Sequence, residues 1–291
     1  MVLLMDKVTV KDILKMKGKK KIVMITAYDY AFARLVDKAG VDVILVGDSV
    51  GMVMHGLSST IPVTMDDMIH HVKAVAAAKP RALIVGDMPF LSYEVSREEA
   101  VRNAGLLLKA GAEAVKVEGG VEIVDKVEAM VKAGIPVMGH IGLTPQRYLL
   151  FGGYKKRGKY VHEAEKIIDD AKALEDAGAF AIVIEHTASE VAEIVTKKVN
   201  IPTICIGSGP YCDGQVLVLH DILGLSEHIP PFAKKYVDLA SIVVQAVSQY
   251  AREVREGVFP SKEHYFTMKK EEYEKLLKYI ASKEPKHKNT F

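Results

Sequence analysis

The chain has 291 residues, 49% hydrophobic and 26% charged, a composition that supports a substantial core and excludes wholesale disorder. Its 39 basic and 37 acidic residues leave a formal charge of +2, so no charge excess draws it to nucleic acid or an anionic membrane. No run approaches the ~18 apolar residues of a membrane span, and residues 1–6 lack a signal-peptide pattern, which predicts a cytoplasmic protein acting on a small molecule.

In chain order, Thr9-Val10-Lys11-Asp12 reads as a capping box opening a helix to Met16. An apolar strand is predicted over 22–27, and Asp29 then caps a helix that Gly40 stops. The run Val43-Ile44-Leu45-Val46-Gly47-Asp48-Ser49-Val50-Gly51 is continuous in apolar and glycine positions until it reaches an acid. That pattern suits a strand covered on both faces, as in a parallel sheet walled by helices.

Helical spacing returns over 66–78, and a strand follows at Leu83-Ile84-Val85-Gly86-Asp87. Ser96 to Glu99 forms a second capping box, leading a helix to Ala110 and a stop at Gly111. A strand ending in Glu118, a helix over 121–132 and a strand over 136–140 ending in His140 come next. The loop over 142–160 is long for a compact domain, and loops of that length are usually functional.

Beyond it the pattern predicts a helix over 163–176, a strand over 180–185 ending in Glu185, and a helix over 189–198. Strands over 202–206 and 215–219 flank Gly207-Ser208-Gly209, which is too short a signal to mark a phosphate site. A long helix over 234–256 is expected to complete the barrel, followed by an amphipathic helix over 269–282 and a fraying charged end over 284–289.

Eight strands alternating with helices predict an α/β fold, a (β/α)8 TIM barrel with an N-terminal helix and an appended C-terminal helix. Residues 1–262 are assigned to the barrel and 263–291 to the helical extension. Cys205 and Cys212 are the only cysteines, too few for a secreted disulfide framework and without zinc-type spacing. Two free thiols are expected, with a local disulfide as the alternative.

Active sites of such barrels lie at the C-terminal strand ends, where Asp48, Asp87, Glu118, His140 and Glu185 all fall. Like charges crowded at one mouth repel strongly, and a hard divalent cation resolves the conflict. Magnesium suits Asp48 and Asp87 as direct ligands, with Glu118 reached through water; caps for the following helices are the alternative. Lys116, two residues before Glu118, points to the same side of its strand. It would bind a substrate carboxylate as a point charge, or form a Schiff base if desolvated. Ser49 either meets a substrate oxygen or caps a turn. Glu185 is the candidate general base, against a salt bridge to a loop lysine, and His140 either assists proton transfer or bonds backbone. His70, His71, His162 and His186 are read as structural or solvent-facing.

Between residues 10 and 262 a series of ordered blocks resembles a known family. They are Ile25-Thr26-Ala27-Tyr28-Asp29-Tyr30, Val46-Gly47-Asp48-Ser49-Val50-Gly51, Pro62-Val63-Thr64, Val115-Lys116-Val117-Glu118-Gly119-Gly120, Gly139-His140-Ile141-Gly142-Leu143-Thr144-Pro145-Gln146, Phe151-Gly152-Gly153-Tyr154 and Asp213-Gly214-Gln215-Val216-Leu217-Val218. Together they resemble ketopantoate hydroxymethyltransferase. The resemblance implies transfer of a hydroxymethyl group from 5,10-methylenetetrahydrofolate, or from methylene-tetrahydromethanopterin, to 3-methyl-2-oxobutanoate through a magnesium-stabilised enolate. The product, 2-dehydropantoate, belongs to pantothenate and coenzyme A synthesis.

By motif, Asp48 and Asp87 resemble the Mg2+ ligands, with Glu118 completing the shell. Ser49, Asp87 and Lys116 resemble contacts to the keto acid, and Glu185 the proton acceptor. A homo-oligomeric ring, decameric or octameric, is implied as well. Two departures stand out: Ser208 occupies a position where the family usually has alanine, and the tail beyond about Glu263 is longer than in familiar members. The competing expectations are a magnesium-dependent lyase or mutase of the phosphoenolpyruvate mutase type, a Schiff-base aldolase using Lys116, and a catalytically dead barrel kept for assembly.

Overall fold

The computed structural model describes residues 6–283, which divide into two compact units, one ending at Val237 and the other beginning at Asp238. In the first, eight parallel strands close in sequence order: β1 (Ile22–Thr26), β2 (Val43–Val46), β3 (Leu83–Asp87), β4 (Ala114–Glu118), β5 (Val137–Gly142), β6 (Ala181–Glu185), β7 (Thr203–Ile206) and β8 (Gly214–Leu217). β8 pairs back onto β1, with Gly214 opposite Ile22, so the sheet has no edge. The expected (β/α)8 barrel is therefore the architecture observed.

Strand alternation divides the apolar residues into two layers. Met24, Leu45, Val85, Met138 and Val183 pack in one cluster that fills the barrel. Ile44, Ile84, Val115 and Ile182 pack in a second cluster, with residues of the surrounding helices. Burying a side chain of this size is worth roughly 1.5–3 kcal/mol each, so the closed sheet is held from both sides.

The helices of this unit are α1 (Val10–Met16), α2 (Tyr30–Lys38), α3 (Val50–Val53), α4 (Met65–Ala77), α5 (Arg97–Ala110), α6 (Val124–Lys132), α7 (Tyr148–Phe151), α8 (Val161–Asp176), α9 (Ser189–Lys198) and α10 (Leu219–Leu223). Their ends follow local chemistry. Thr9 and Asp12 form the expected capping box, and Thr64 with Asp67 forms another before α4. Asp29 accepts from the Phe32 N–H, and Ser96 accepts from the Glu99 N–H to start α5. Gly111 closes α5 at φ +115°, a conformation that glycine adopts without strain.

The structure departs from the expectations at four places. β2 ends at Val46, so Gly47-Asp48-Ser49 forms the turn into α3. The segment over 142–160 is not structureless: a 3-10 turn at Pro145–Arg147, entered by a proline with preset φ, runs into α7. The helix expected over 234–256 spans α11 (Leu239–Arg255) and lies in the second unit, while the five-residue α10 follows β8.

The fourth departure concerns the thiols. Cys205 and Cys212 are joined as a disulfide, with Cα atoms 5.7 Å apart, which corrects the expectation of free cysteines. The short return from β7 to the neighbouring β8 brings two buried residues within bridging reach, a consequence of topology that spacing alone does not reveal.

The second unit contains α11 and α12 (Lys270–Lys283), joined through a 3-10 turn at Lys262–His264. Neither helix buries a residue. The charged end expected over 284–289 lies outside the described residues. Among those described, no helix is long and apolar enough to cross a membrane.

Candidate active site

Parallel pairing places the ends of neighbouring strands side by side. Asp87 is the Cα partner of Lys116, Glu118 of His140, and Gly142 of Glu185. The consequence is a chain of charges around one rim. Lys116 Nζ lies 2.7 Å from Asp87 Oδ1 and 3.2 Å from His140 Nδ1. His140 Nδ1 is 3.3 Å from Glu118 Oε1, and His140 Nε2 is 3.1 Å from Glu185 Oε2. The last contact is an ion pair by distance but lies off the hydrogen-bond line.

Asp48 joins through its backbone, whose N–H donates to Asp87 Oδ2 at 3.1 Å. The Ser49 hydroxyl is 2.8 Å from that of Tyr28, a buried residue whose phenol is raised by burial. The local contacts bear on the structural alternatives as well. Ser49 stands at the start of α3 without a side-chain cap bond, and α5 is capped by Ser96 rather than by Asp87. Glu185 meets a histidine where a lysine was the alternative, and His140 bridges two carboxylates where backbone bonding was the alternative.

Two residues were given no role by the sequence reading. Gln146 Nε2 donates to Asp48 Oδ2 and to Met88 O, both at 2.9 Å, while its backbone N–H donates to Glu118 Oε2 at 2.9 Å. Tyr93 OH accepts from the Glu118 N–H at 3.0 Å and shares its one proton between Glu118 O and Gln146 Oε1. The available signal for Gln146 was a proline opening a turn directly after a strand that ends at the site.

Comparison with known proteins places the chain in a family. The family profile described as ketopantoate hydroxymethyltransferase matches residues 7–262. The chain belongs to that family. A relative from Staphylothermus marinus named 3-methyl-2-oxobutanoate hydroxymethyltransferase is 73% identical, covering 93% of this chain and 100% of its own length. One of the same name from Ignicoccus hospitalis is 64% identical, covering 90% and 100%. Among solved structures, a phosphonopyruvate hydrolase shares the fold with a TM-score of 0.59 at 13% identity, covering 96% of this chain and 99% of its own. A 2,3-dimethylmalate lyase does so with a TM-score of 0.57 at 17% identity, covering 94% and 98%.

The electrostatics of this hydroxymethyltransferase-family site follow from crowding. Burial pushes Asp48 well up, and repulsion from Asp87 and Glu118 pushes it further, against the pull of Lys116 and Gln146. Asp87 is raised by burial, which its contact with Lys116 only partly offsets. Burial opposes the charge on Lys116, yet Asp87, Glu118 and Asp48 together raise it above its ordinary value. Glu118 is lowered despite burial, because His140, Lys116 and the Gln146 N–H favour its ionised form. Burial and Lys116 oppose a charge on His140, but Glu118 and Glu185 prevail and raise it to about 9.

The family implies a magnesium ion, and the residues present fit one. The buried carboxylates of Asp48, Asp87 and Glu118 outnumber the buried Lys116 ammonium beside them and repel one another, a crowding that a cation would relieve. All the candidate donors are hard oxygens. Among the described residues no three histidine, cysteine or acidic side chains converge as a ready-made metal cage.

Proposed function

We propose that the protein transfers a hydroxymethyl group from a methylene-pterin, 5,10-methylenetetrahydrofolate or methylene-tetrahydromethanopterin, to 3-methyl-2-oxobutanoate. Family membership supports the reaction. The observation that carries the mechanism is Glu185, partly exposed at 14%, held against His140 beside the buried cluster of Lys116, Asp87, Asp48 and Glu118.

Asp48 and Asp87 would hold Mg2+, with Glu118 contacting it through water; when bound, the ion supplies the positive charge that acidifies the carbon next to the ketone. Lys116, locked between Asp87 and His140, attracts the substrate carboxylate as a fixed point charge. Asp87 orients that lysine and meets the keto acid beside it. Ser49, with its hydroxyl set by Tyr28, hydrogen-bonds a substrate oxygen.

Glu185 accepts the proton from C3, and the resulting enolate attacks the methylene carbon. His140 holds Glu185 in place as its charged partner and stabilises the carboxylate between turnovers. The methylene carbon gains a bond to C3 and a bond to a water oxygen as both of its carbon–nitrogen bonds to the pterin break. Water supplies the hydroxyl oxygen. Its remaining proton and the C3 proton restore the two N–H groups of the pterin.

The test separates proton removal from transfer. In D2O with magnesium and 3-methyl-2-oxobutanoate alone, the enzyme should exchange the C3 proton, as followed by NMR, and EDTA should stop it. Glu185→Gln should lose exchange and turnover by about 10²–10⁴-fold, the usual contribution of a general base. Exchange at the normal rate in that variant removes Glu185 as the base, and absence of product with either methylene-pterin overturns the reaction.

The same reading makes the protein a cytoplasmic homo-oligomeric ring, a decamer or an octamer. Its support beyond the family is the second unit, where Val244 and Tyr250 on α11 and Phe266, at 96%, are exposed. Sedimentation of the full chain as a monomer would overturn this.

A further inference from the structure

The segment between β5 and α8 is anchored at both ends to the active site. Gln146 starts it inside the carboxylate network. Arg157 ends it on the β6 side, where its N–H donates to His186 O at 2.9 Å and its carbonyl accepts from the Ala188 N–H at 3.0 Å. Between these anchors the chain crosses back toward β2. The Tyr154 hydroxyl lies 3.9 Å from Met52 Sδ on α3, the helix that follows Asp48 and Ser49.

Within this segment Tyr148 and Tyr154 stack, with ring centroids 5.1 Å apart and planes 5° apart. Gly152 and Gly153, at φ +65° and +118°, supply the reversal that folds one ring onto the other. Tyr154 remains 42% exposed. Partial burial and its neighbour Tyr148 push the phenol up to about 12, and the charges of Asp48, Glu185 and Glu118 add to the effect. The ring therefore stands within electrostatic reach of the carboxylates that surround the reacting carbon.

The proposed reaction needs a second ligand there. Its electrophilic carbon is carried on a flat heterocycle much larger than the keto acid, and that carbon must meet C3 next to Glu185. Lys116 and Asp87 are buried, so the heterocycle has no room among them and must rest at the rim on a flat, partly apolar surface. Tyr28 and Tyr93 are fully buried and offer no face. Stacked aromatic rings at 4.5–7 Å spacing are a favourable arrangement for extending the stack by one more ring.

We propose that Tyr154, backed by Tyr148, is the stacking platform for the planar heterocycle of the one-carbon donor, a site that rests on the hydroxymethyl-transfer reading above. The test uses 5,10-methylenetetrahydrofolate and methylene-tetrahydromethanopterin as probes with Tyr154→Ala and Tyr154→Phe. Tyr154→Ala should raise the pterin KM about tenfold, while donor-free C3 deuterium exchange falls much less. Tyr154→Phe, which keeps the ring, should restore the KM. A pterin KM that stays at the wild-type value in Tyr154→Ala, or that rises only in step with lost C3 exchange, overturns the platform. Failure of the wild-type enzyme to exchange C3 or form product overturns the underlying reaction itself, so the two failures are told apart.

Discussion

On the β2 to β4 side of the mouth, Asp48, Asp87, Lys116 and Glu118 are buried and each is held by at least one other member of the network. On the β6 side, Glu185 is partly open and its side chain meets His140. The first arrangement is fixed before substrate arrives, as binding and charge stabilisation require. The second leaves a partly open carboxylate beside a buried histidine. In the proposed mechanism binding and proton transfer fall to differently built parts of one rim, so mutations on the two sides should fail in different ways.

Lys116→Met offers the strongest contrast with Glu185→Gln. Removing the cation leaves Asp48, Asp87 and Glu118 facing one another in a buried space, and breaking a buried pair in this way costs about 3–5 kcal/mol. The variant should show a large fall in Tm in EDTA, partly recovered by magnesium, together with loss of keto-acid binding. Glu185→Gln should leave Tm and metal affinity near normal. Equal Tm losses in both variants would erase the distinction between the two sides.

The pH dependence of the metal-free protein sharpens the same contrast. His140 is raised from 6.5 to about 9. Its folded-state pKa lies above the unfolded value, so its stabilisation is full below about pH 6.5 and is lost as pH rises through about 9. Asp48 and Asp87 are also raised, so they too favour the folded state at low pH and oppose it once ionised. Denaturant titrations in EDTA should show stability falling between pH 6.5 and 9, less steeply in His140→Asn. Saturating magnesium should flatten the fall by neutralising the carboxylates.

What the sequence revealed, and what it hid, follows the range of the forces involved. The strand ends at Asp87, Glu118 and Glu185 were legible because continuous apolar runs mark buried strands and the next polar residue marks the rim. Caps at Thr9, Asp29 and Ser96 were legible because they act within four residues. Gln146 was not, since it reaches Asp48 across 98 positions of chain from a segment with no periodicity. The Cys205–Cys212 bond and the boundary after Val237 depend on which elements meet in space, which the local pattern does not encode.

Gln146 is the next way to break the comparison. Its amide fixes the Asp48 carboxylate from one side, and its N–H fixes Glu118. Groups that orient metal ligands are typically worth 10–100-fold in affinity. Gln146→Leu should weaken magnesium binding by about tenfold or more, as measured by calorimetry without substrate, with kcat recovering at high magnesium. A kcat that stays depressed at saturating magnesium would mean that Gln146 also serves the Glu185 side.

Ser208 makes the smallest and most local test, on the opposite side. Its hydroxyl donates to Ile184 O at 2.8 Å and accepts from the Thr187 N–H at 3.0 Å, bracketing Glu185 from both chain directions. Glu185 O in turn accepts from Leu143 N–H and from Thr187 Oγ1, both at 2.9 Å. Gly142 makes that approach possible, because a Cβ there would lie 2.5 Å from Glu185 O. The loop bearing Ser208 is closed by the Cys205–Cys212 bond. Ser208→Ala leaves the Thr187 N–H without its partner, a loss of about 1–3 kcal/mol. The variant should lower Tm and reduce kcat a few-fold while magnesium affinity and keto-acid KM hold, because the residue it orients, Glu185, is the base of the proposed mechanism. A shift in magnesium affinity instead would mean that the rim responds as one rigid body, and that the freedom of Glu185 is not separable from the cluster beside it.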